Sequence, residues 1–221
     1  MHIVVFGAAG KTGRLLVTQA RAAGHEVVAA TRRPGVGDVT ADVTDTAAVA
    51  DAVAGADAVL SVLGRPLSRE PVTLYSRGVA NLLAARPKRL VVVSSSVMDP
   101  RWRPTGERFF NTVLDPLVNR RLGRTSHEDM RRMEALVRAS DVDWTIVRPS
   151  GLFDHPAPTE YEVAEDVADG LFTARADLAA AVLAQVTDDR FVRKAMAVIT
   201  TEVRPSMLGL LWREAVVGKS A

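Results

Sequence analysis

Short apolar runs alternate with amphipathic stretches along most of this chain. His2–Phe6, Glu26–Thr31 (EVVAAT), Asp57–Val62, Arg89–Ser95, Asp143–Arg148 and Ala195–Thr200 are apolar at successive rather than alternate positions. That is the pattern of strands covered on both faces, as in a parallel sheet. Between them, helical periodicity covers 11–23, with Leu15, Leu16, Ala20 and Ala23 on or near one face, then Asp45–Ala54, 70–85, 107–122, 126–139 and 174–186. Thr173 is the expected N-cap of the last of these. Strand and helix alternating from the first residue predict the α/β class: a doubly wound, mainly parallel sheet with helices on both faces. Two Pro/Gly-rich stretches, 97–108 and 150–160, follow strand C-termini, where such folds bind ligands. They are expected to wall a substrate pocket, with small substrate-side elements within 97–125 and 150–175. Residues 206–217 read as a short amphipathic helix packing on its own domain.

A length of 221 residues fits one domain spanning 1–221. Hydrophobic residues make up 48% and charged residues 24%, enough for a substantial core. The chain has no cysteine, which excludes disulfides, zinc–thiolate and iron–sulfur sites and a thiol nucleophile. A formal net charge of +2 with no basic stripe argues against a nucleic-acid partner. Arg120, Arg121, Arg124, Arg131 and Arg132, interleaved with Glu128 and Asp129, read as a solvated helix face. No His/Asp/Glu cluster has metal-ligand spacing, so no metal is expected. The N-terminus has no signal-peptide pattern and no run approaches a membrane span, so the expectation is a cytoplasmic protein off the membrane. A monomer or weak homodimer is expected.

Residues 7–13 read Gly7-Ala8-Ala9-Gly10-Lys11-Thr12-Gly13, a G-x-x-G-x-x-G turn between a strand and a helix. The first glycine makes the tight turn, the second lets backbone approach a pyrophosphate, and the third lets the helix pack closely on the strand. Phosphates then sit on the free amides at the positive end of the helix, beside Ala9, Lys11 and Thr12. The second strand ends where the dinucleotide fingerprint expects it. Gly10-Lys11-Thr12 imitates the tail of a P-loop. That loop needs another glycine five positions earlier, where Val5 stands inside the strand. Nucleotide hydrolysis is therefore rejected. The second strand is followed by Arg32 and Arg33 rather than by a carboxylate for a ribose 2′-hydroxyl. Two guanidiniums suit a 2′-phosphate, so NADP(H) is the expected cofactor. The alternative is two solvated arginines in a turn.

These motifs, with ATRRP at 30–34, ADVTD at 41–45, DAVLSVLG at 57–64, VVVSSSVM at 91–98, the run from Glu134 to Pro149 and TARADLAAAVL at 173–183, make the chain resemble a known family. It is similar to the atypical short-chain dehydrogenase/reductase proteins, in the NmrA-like and biliverdin-reductase-B/flavin-reductase-like branch, and so to NAD(P)-binding Rossmann proteins. The resemblance implies that Asp42 and Val43 contact the adenine and that Val62, Leu63 and Gly64 form the loop over the ribose and pyrophosphate. It also implies that Ser94 contacts the cofactor, that Ser96 is the active-site serine, and that Pro149 and Ser150 lie beside the nicotinamide. Each residue also has a plainer reading: an Asx turn, an apolar strand end, a strand cap, a helix-breaking proline. His155, in the loop after the sixth strand, is a candidate proton donor or an ordinary loop histidine.

One departure shapes the functional expectation. Relatives that reduce carbonyls use a Tyr-x-x-x-Lys pair, in which the lysine lowers the phenol pKa. Anchoring on Glu134 puts Ser126 and Met130 at those places, and neither Tyr75 nor Tyr161 has a lysine four positions on. Two readings follow. The chain is an NADP(H)-dependent reductase passing hydride to a flat small-molecule acceptor such as a flavin or quinone, or it is a non-catalytic NADP(H) sensor of NmrA-like type.

Overall fold

The computed structural model describes residues 1–66, 70–107, 112 and 123–205. Its strands are β1 (His2–Phe6), β2 (Glu26–Thr31), β3 (Val39–Thr40), β4 (Ala58–Ser61), β5 (Arg89–Val93), β6 (Asp143–Pro149), β7 (Gly151–Phe153), β8 (Tyr161–Glu165), β9 (Phe172–Ala174) and β10 (Lys194–Thr200). The helices are α1 (Lys11–Ala22), α2 (Thr46–Val53), α3 (Leu74–Ala84), α4 (Arg124–Arg138) and α5 (Arg175–Ala184). One eight-stranded sheet runs in the order β3-β2-β1-β4-β5-β6-β10-β8. Every neighbouring pair is parallel except β10 with β8 at the edge. β7 and β9 form a separate two-stranded sheet.

The side-chain period of two explains the unalternating strands. On β1, Ile3 and Val5 point into one core with Leu16, Leu60, Leu178 and Met196. Val4 and Phe6 point into the other with Val59, Leu90, Met133 and Ile146. Helices α1 and α5 cover the first face, and α2, α3 and α4 the second. β1 pairs with β2 on one side and β4 on the other. The chain order therefore reverses at β1/β4 and opens a crevice at their C-terminal ends, where doubly wound sheets hold ligands.

Several expected boundaries shift. The N-cap of α5 is Ala174, and Thr173 belongs to β9, where its buried hydroxyl donates to the Val198 carbonyl at 2.5 Å. A tertiary partner outcompetes the local cap. The stretch after Pro149 contains β7, β8 and β9 rather than loop alone. The helix expected at 107–122 falls almost wholly outside the described residues, as does the one at 206–217.

Candidate functional site

Gly7 ends β1 with φ +84°, a left-handed conformation, and a Cβ there would sit 2.7 Å from the Val62 carbonyl oxygen. A Cβ on Gly13 would come within 2.1 Å of the Gly7 carbonyl oxygen, so α1 packs on β1 as closely as backbone allows. Gly10 is the N-cap of α1, at φ −72°, and offers no side chain to its first turn. The first-turn amides of the helix are thus left for a ligand, and the first turn carries no acid to oppose an anion. Backbone that only glycine permits forms the cradle that a pyrophosphate fits.

A cavity of about 990 Å³ opens over this loop. Of the residues named from the sequence, it brings together Gly7, Ala9, Gly10, Lys11, Thr12, Arg32, Arg33, Asp42, Val43, Val62, Leu63 and Gly64. Gly13 lies beneath the loop and does not line it. Lys11, Arg32, Arg33, Arg65 and Arg175 face the cavity against one lining carboxylate, Asp42, among the described residues. The Asp42 carboxylate accepts from the Thr44 amide and the Thr44 hydroxyl, each at 2.8 Å. Those bonds, with Arg32 and Arg77 nearby, hold it below the usual carboxylate range. Asp42 is therefore an Asx-turn residue that also lines the cavity.

Sequence reasoning missed Arg65, beyond β4, and Arg175, the first residue of α5. The TARADLAAAVL segment contained Arg175, but nothing local places it opposite residue 11. Asp154, just after β7, bridges the two: Lys11 Nζ lies 2.8 Å and Arg175 Nε 2.9 Å from its carboxylate. Burial works to raise the Asp154 pKa, yet the two cations hold it below the ordinary value. The bridge fastens the 151–160 stretch across the phosphate loop.

The other expected residues lie elsewhere. Ser94, Ser96, Pro149, Ser150 and His155 do not line this cavity. The Ser96 side chain is buried, its hydroxyl donating to the Arg148 carbonyl at 3.0 Å. Ser150 donates its amide to Thr173 Oγ1 at 3.0 Å and its hydroxyl to the Gly170 carbonyl at 3.2 Å. Both serines staple the end of β6 to its neighbours. The His155 ring Nδ1 lies 2.6 Å from the Ala157 carbonyl oxygen, a contact within its own loop. Ser94 donates its amide to the Val147 carbonyl at 2.8 Å, while its buried hydroxyl has no partner among the described residues. The Ser126 hydroxyl is likewise buried without a partner among the described residues. Met130 packs into the core. Of the expected pocket wall at 97–108, residues 97–100, 102 and 103 line, with Arg124, His127, Glu128 and Arg131 of α4, a second cavity of about 630 Å³ that shares no residue with the first.

Beneath these loops runs a charged chain. Arg148 holds Glu134 with two hydrogen bonds, of 3.1 and 2.6 Å, and Asp99 at 3.1 Å, all three side chains at most 8% exposed. Arg101 extends the chain from Asp99 to Asp166, at 2.8 and 2.9 Å. The Arg101 hydrogen bonds, with help from Arg148, pull the Asp99 carboxyl down to about 2. Burial opposes the charge on Arg148, but Glu134 and Asp99 raise its pKa overall. Neither tyrosine is poised for proton exchange: burial pushes the phenols of Tyr75 and Tyr161 up.

Fold and loop together define a Rossmann-type dinucleotide-binding protein. The profile of the NAD(P)H-binding family matches residues 7–189, and the chain belongs to that family. Among solved structures it is similar to a protein of Burkholderia pseudomallei at 25% identity and TM-score 0.73, covering 90% of this chain and 100% of that one. ChuY, an anaerobillin reductase from Escherichia coli O157:H7, matches at 22% identity and TM-score 0.71, over 93% and 100% of the two chains. A protein of Streptococcus pneumoniae TIGR4, provisionally called an NADH-flavin reductase, matches at 21% identity and TM-score 0.70, over 91% and 100%. Among the described residues no helix is long and apolar enough to cross a membrane.

Proposed function

We propose that the chain is an NADP(H)-dependent reductase that passes hydride to a flat, conjugated small-molecule acceptor such as a flavin or quinone. The observation that carries the cofactor choice is the cavity beyond β2, lined by Arg32 and Arg33 and, among the described residues, by one carboxylate, Asp42, which is held in an Asx turn. Guanidiniums pair with phosphate through two parallel hydrogen bonds, which favours a 2′-phosphate over a bare 2′-hydroxyl. Lys11 and Arg175 add positive charge beside the phosphate loop, and the amides of α1 orient the pyrophosphate. Bound NADPH supplies the hydride.

The choice of acceptor follows from what the site lacks in acid. Reducing a ketone creates an alkoxide that must be protonated as it forms. By sequence spacing from Glu134, Ser126 and Met130 stand where relatives that reduce carbonyls carry the phenol and lysine for that work. A flavin or quinone spreads the added charge over its ring, and the proton then comes from solvent. The protein's part is orientation and exclusion of water. The names of ChuY, an anaerobillin reductase, and of the streptococcal protein, an NADH-flavin reductase, support the reductase part of this reading.

The test is NADPH oxidation, followed by loss of nicotinamide absorbance, against flavins, quinones and small ketones. Saturable turnover with a flavin or quinone but not with ketones is expected. NADPH binding with no turnover on any acceptor would replace this reading with the sensor of NmrA-like type.

A further inference from the structure

Helix α3 begins without support from its own sequence. Its N-cap, Thr73, makes no side-chain hydrogen bond to the helix, and the first turn carries no acid. The amides at a helix start need partners, and the positive end of the helix dipole favours a negative group. Both are supplied from α4. Asp129, with none of its surface exposed, accepts from the Tyr75 amide at 2.8 Å, from the Ser76 amide at 3.3 Å and from the Ser76 hydroxyl. Those are the second and third amides of α3, the two that a local cap would serve. Arg132, one turn on, meets the same carboxylate at 3.1 Å and donates to the Val72 carbonyl at 2.9 Å. A carboxylate buried this deeply must be paired and hydrogen-bonded, and Asp129 is both. A local cap only ends a helix. A cap from another helix also fixes where that end stands.

Helix α3 in turn builds one wall of the dinucleotide cavity. Leu74, its first residue, lines the cavity. The buried Tyr75 phenol takes a hydrogen bond from the Arg65 backbone, which ties the helix to the 62–66 loop that also lines the cavity. A Cβ on Gly78 would stand 3.0 Å from the Val43 side chain and 3.3 Å from that of Leu63, so the helix passes both at close range. Asn81 donates to the Val43 carbonyl at 3.0 Å. Val43 and the loop after β4 belong to the side of the crevice formed by β1, β2 and β4. With the pyrophosphate on α1 and a ribose at the end of β2, that side takes the adenosine half of a dinucleotide.

We infer that Asp129 is a positioning residue for the adenosine half: from α4 it caps α3, and through α3 it sets the spacing between the Val43 and 62–66 walls. Asp129 itself does not line the cavity. Its neighbours Glu128 and Arg131 line the second cavity instead, so α4 serves one cavity directly and the other through α3. Only dinucleotide binding is required for this role, whether or not the chain is a reductase.

Asp129→Asn and Tyr75→Phe, made singly in the full chain, test this. The first keeps the side-chain shape and removes the charge. The second leaves the cap and removes only the phenol that meets Arg65. Affinities for ADP and NADP⁺ are read by calorimetry at a temperature where circular dichroism shows the variant folded. ADP carries the adenosine and pyrophosphate without the nicotinamide ring. Asp129→Asn is expected to weaken both ligands about 3- to 10-fold, the worth of one net hydrogen bond, and Tyr75→Phe to lose part of that. The factor should be the same for ADP and NADP⁺, because the disturbed contacts all face the half they share. A merely structural role would lower the melting temperature and leave both affinities unchanged, and that result would overturn the inference. So would a loss for NADP⁺ that ADP does not share, since the effect would then lie at the ring or at the 2′-phosphate. Should Asp129→Asn fail to fold, Tyr75→Phe decides alone: weaker ADP binding upholds the role and unchanged binding overturns it. Neither affinity depends on turnover, so failure of the reductase reading is seen separately, in the NADPH oxidation assay.

Discussion

At the crevice end formed by β1, β2 and β4, the protein presents chiefly backbone. Glycines at 7, 10 and 13 bring main chain against main chain, and the first turn of α1 borders the cavity. At the end formed by β5, β6 and β10 it presents side chains tied over long sequence distances: Glu134–Arg148–Asp99–Arg101, Ser96 on Arg148, and Ser150 on Thr173. The first end repeats a geometry that any dinucleotide requires. The second holds the 97–103 and 150–175 stretches in one arrangement. Buried charge suits this task because an ion pair has few alternative geometries, although it adds little net stability over an apolar core.

The sharpest way to break the contrast is Arg148→Met. Among the described residues it leaves Glu134 and Asp99 with only Arg138 and Arg101 nearby, and urea unfolding is expected to show a loss of about 3 kcal/mol or more. Fluorescence titration of the folded fraction should show NADPH affinity nearly unchanged, because Arg148 does not line the cavity. The same network has a pH signature. The Asp99 carboxyl titrates at about 2 in the fold, below its ordinary value. Its stabilisation is therefore complete above about pH 4 and lost as pH falls toward 2. Acid unfolding monitored by circular dichroism should lose that component in Asp99→Asn.

Next in size is the pair Arg32→Gln/Arg33→Gln. Losing charge-assisted bonds worth about 1.5–3 kcal/mol should weaken NADPH binding tenfold or more and leave NADH unchanged. Equal losses for both cofactors would end the assignment of a 2′-phosphate site. Gly13→Ala forces a methyl against the Gly7 carbonyl, so a stability loss of about 1–3 kcal/mol is expected in the same unfolding assay, together with weaker binding of both dinucleotides. The smallest effect belongs to Asp154→Asn. Its partner Lys11 is 67% exposed, so stability should change by less than about 1 kcal/mol. NADPH affinity measured at low salt should rise, because Asp154 no longer competes with phosphate for Lys11 and Arg175.

Much of this molecule was legible in the chain itself. Unalternating apolar runs specified a sheet with two covered faces, since Ile3 and Val5 serve one core and Val4 and Phe6 the other. The glycine loop, Arg32, Arg33 and the Val62–Gly64 loop were legible because they lie at the ends of strands that pair with β1 directly. Their positions need only local turn geometry and strand adjacency. β7, β8 and β9 were not legible. They are short, and their pairing depends on β10 and on one another.

The sequence by itself determined the fold class, the dinucleotide loop and the charge of Lys11, Arg32 and Arg33 beside it, because each depends on spacing within a few residues or on periodicity along one element. Only the tertiary structure decided what the polar residues of the second half do. It turned Thr173 from an expected helix cap into a buried bridge to Val198, tied Ser96 to Arg148, and set Arg175 opposite Lys11 through Asp154. Hydroxyls and charges are indifferent to sequence neighbours when a better partner arrives from another strand. Which partner arrives is settled by the packing of the whole sheet.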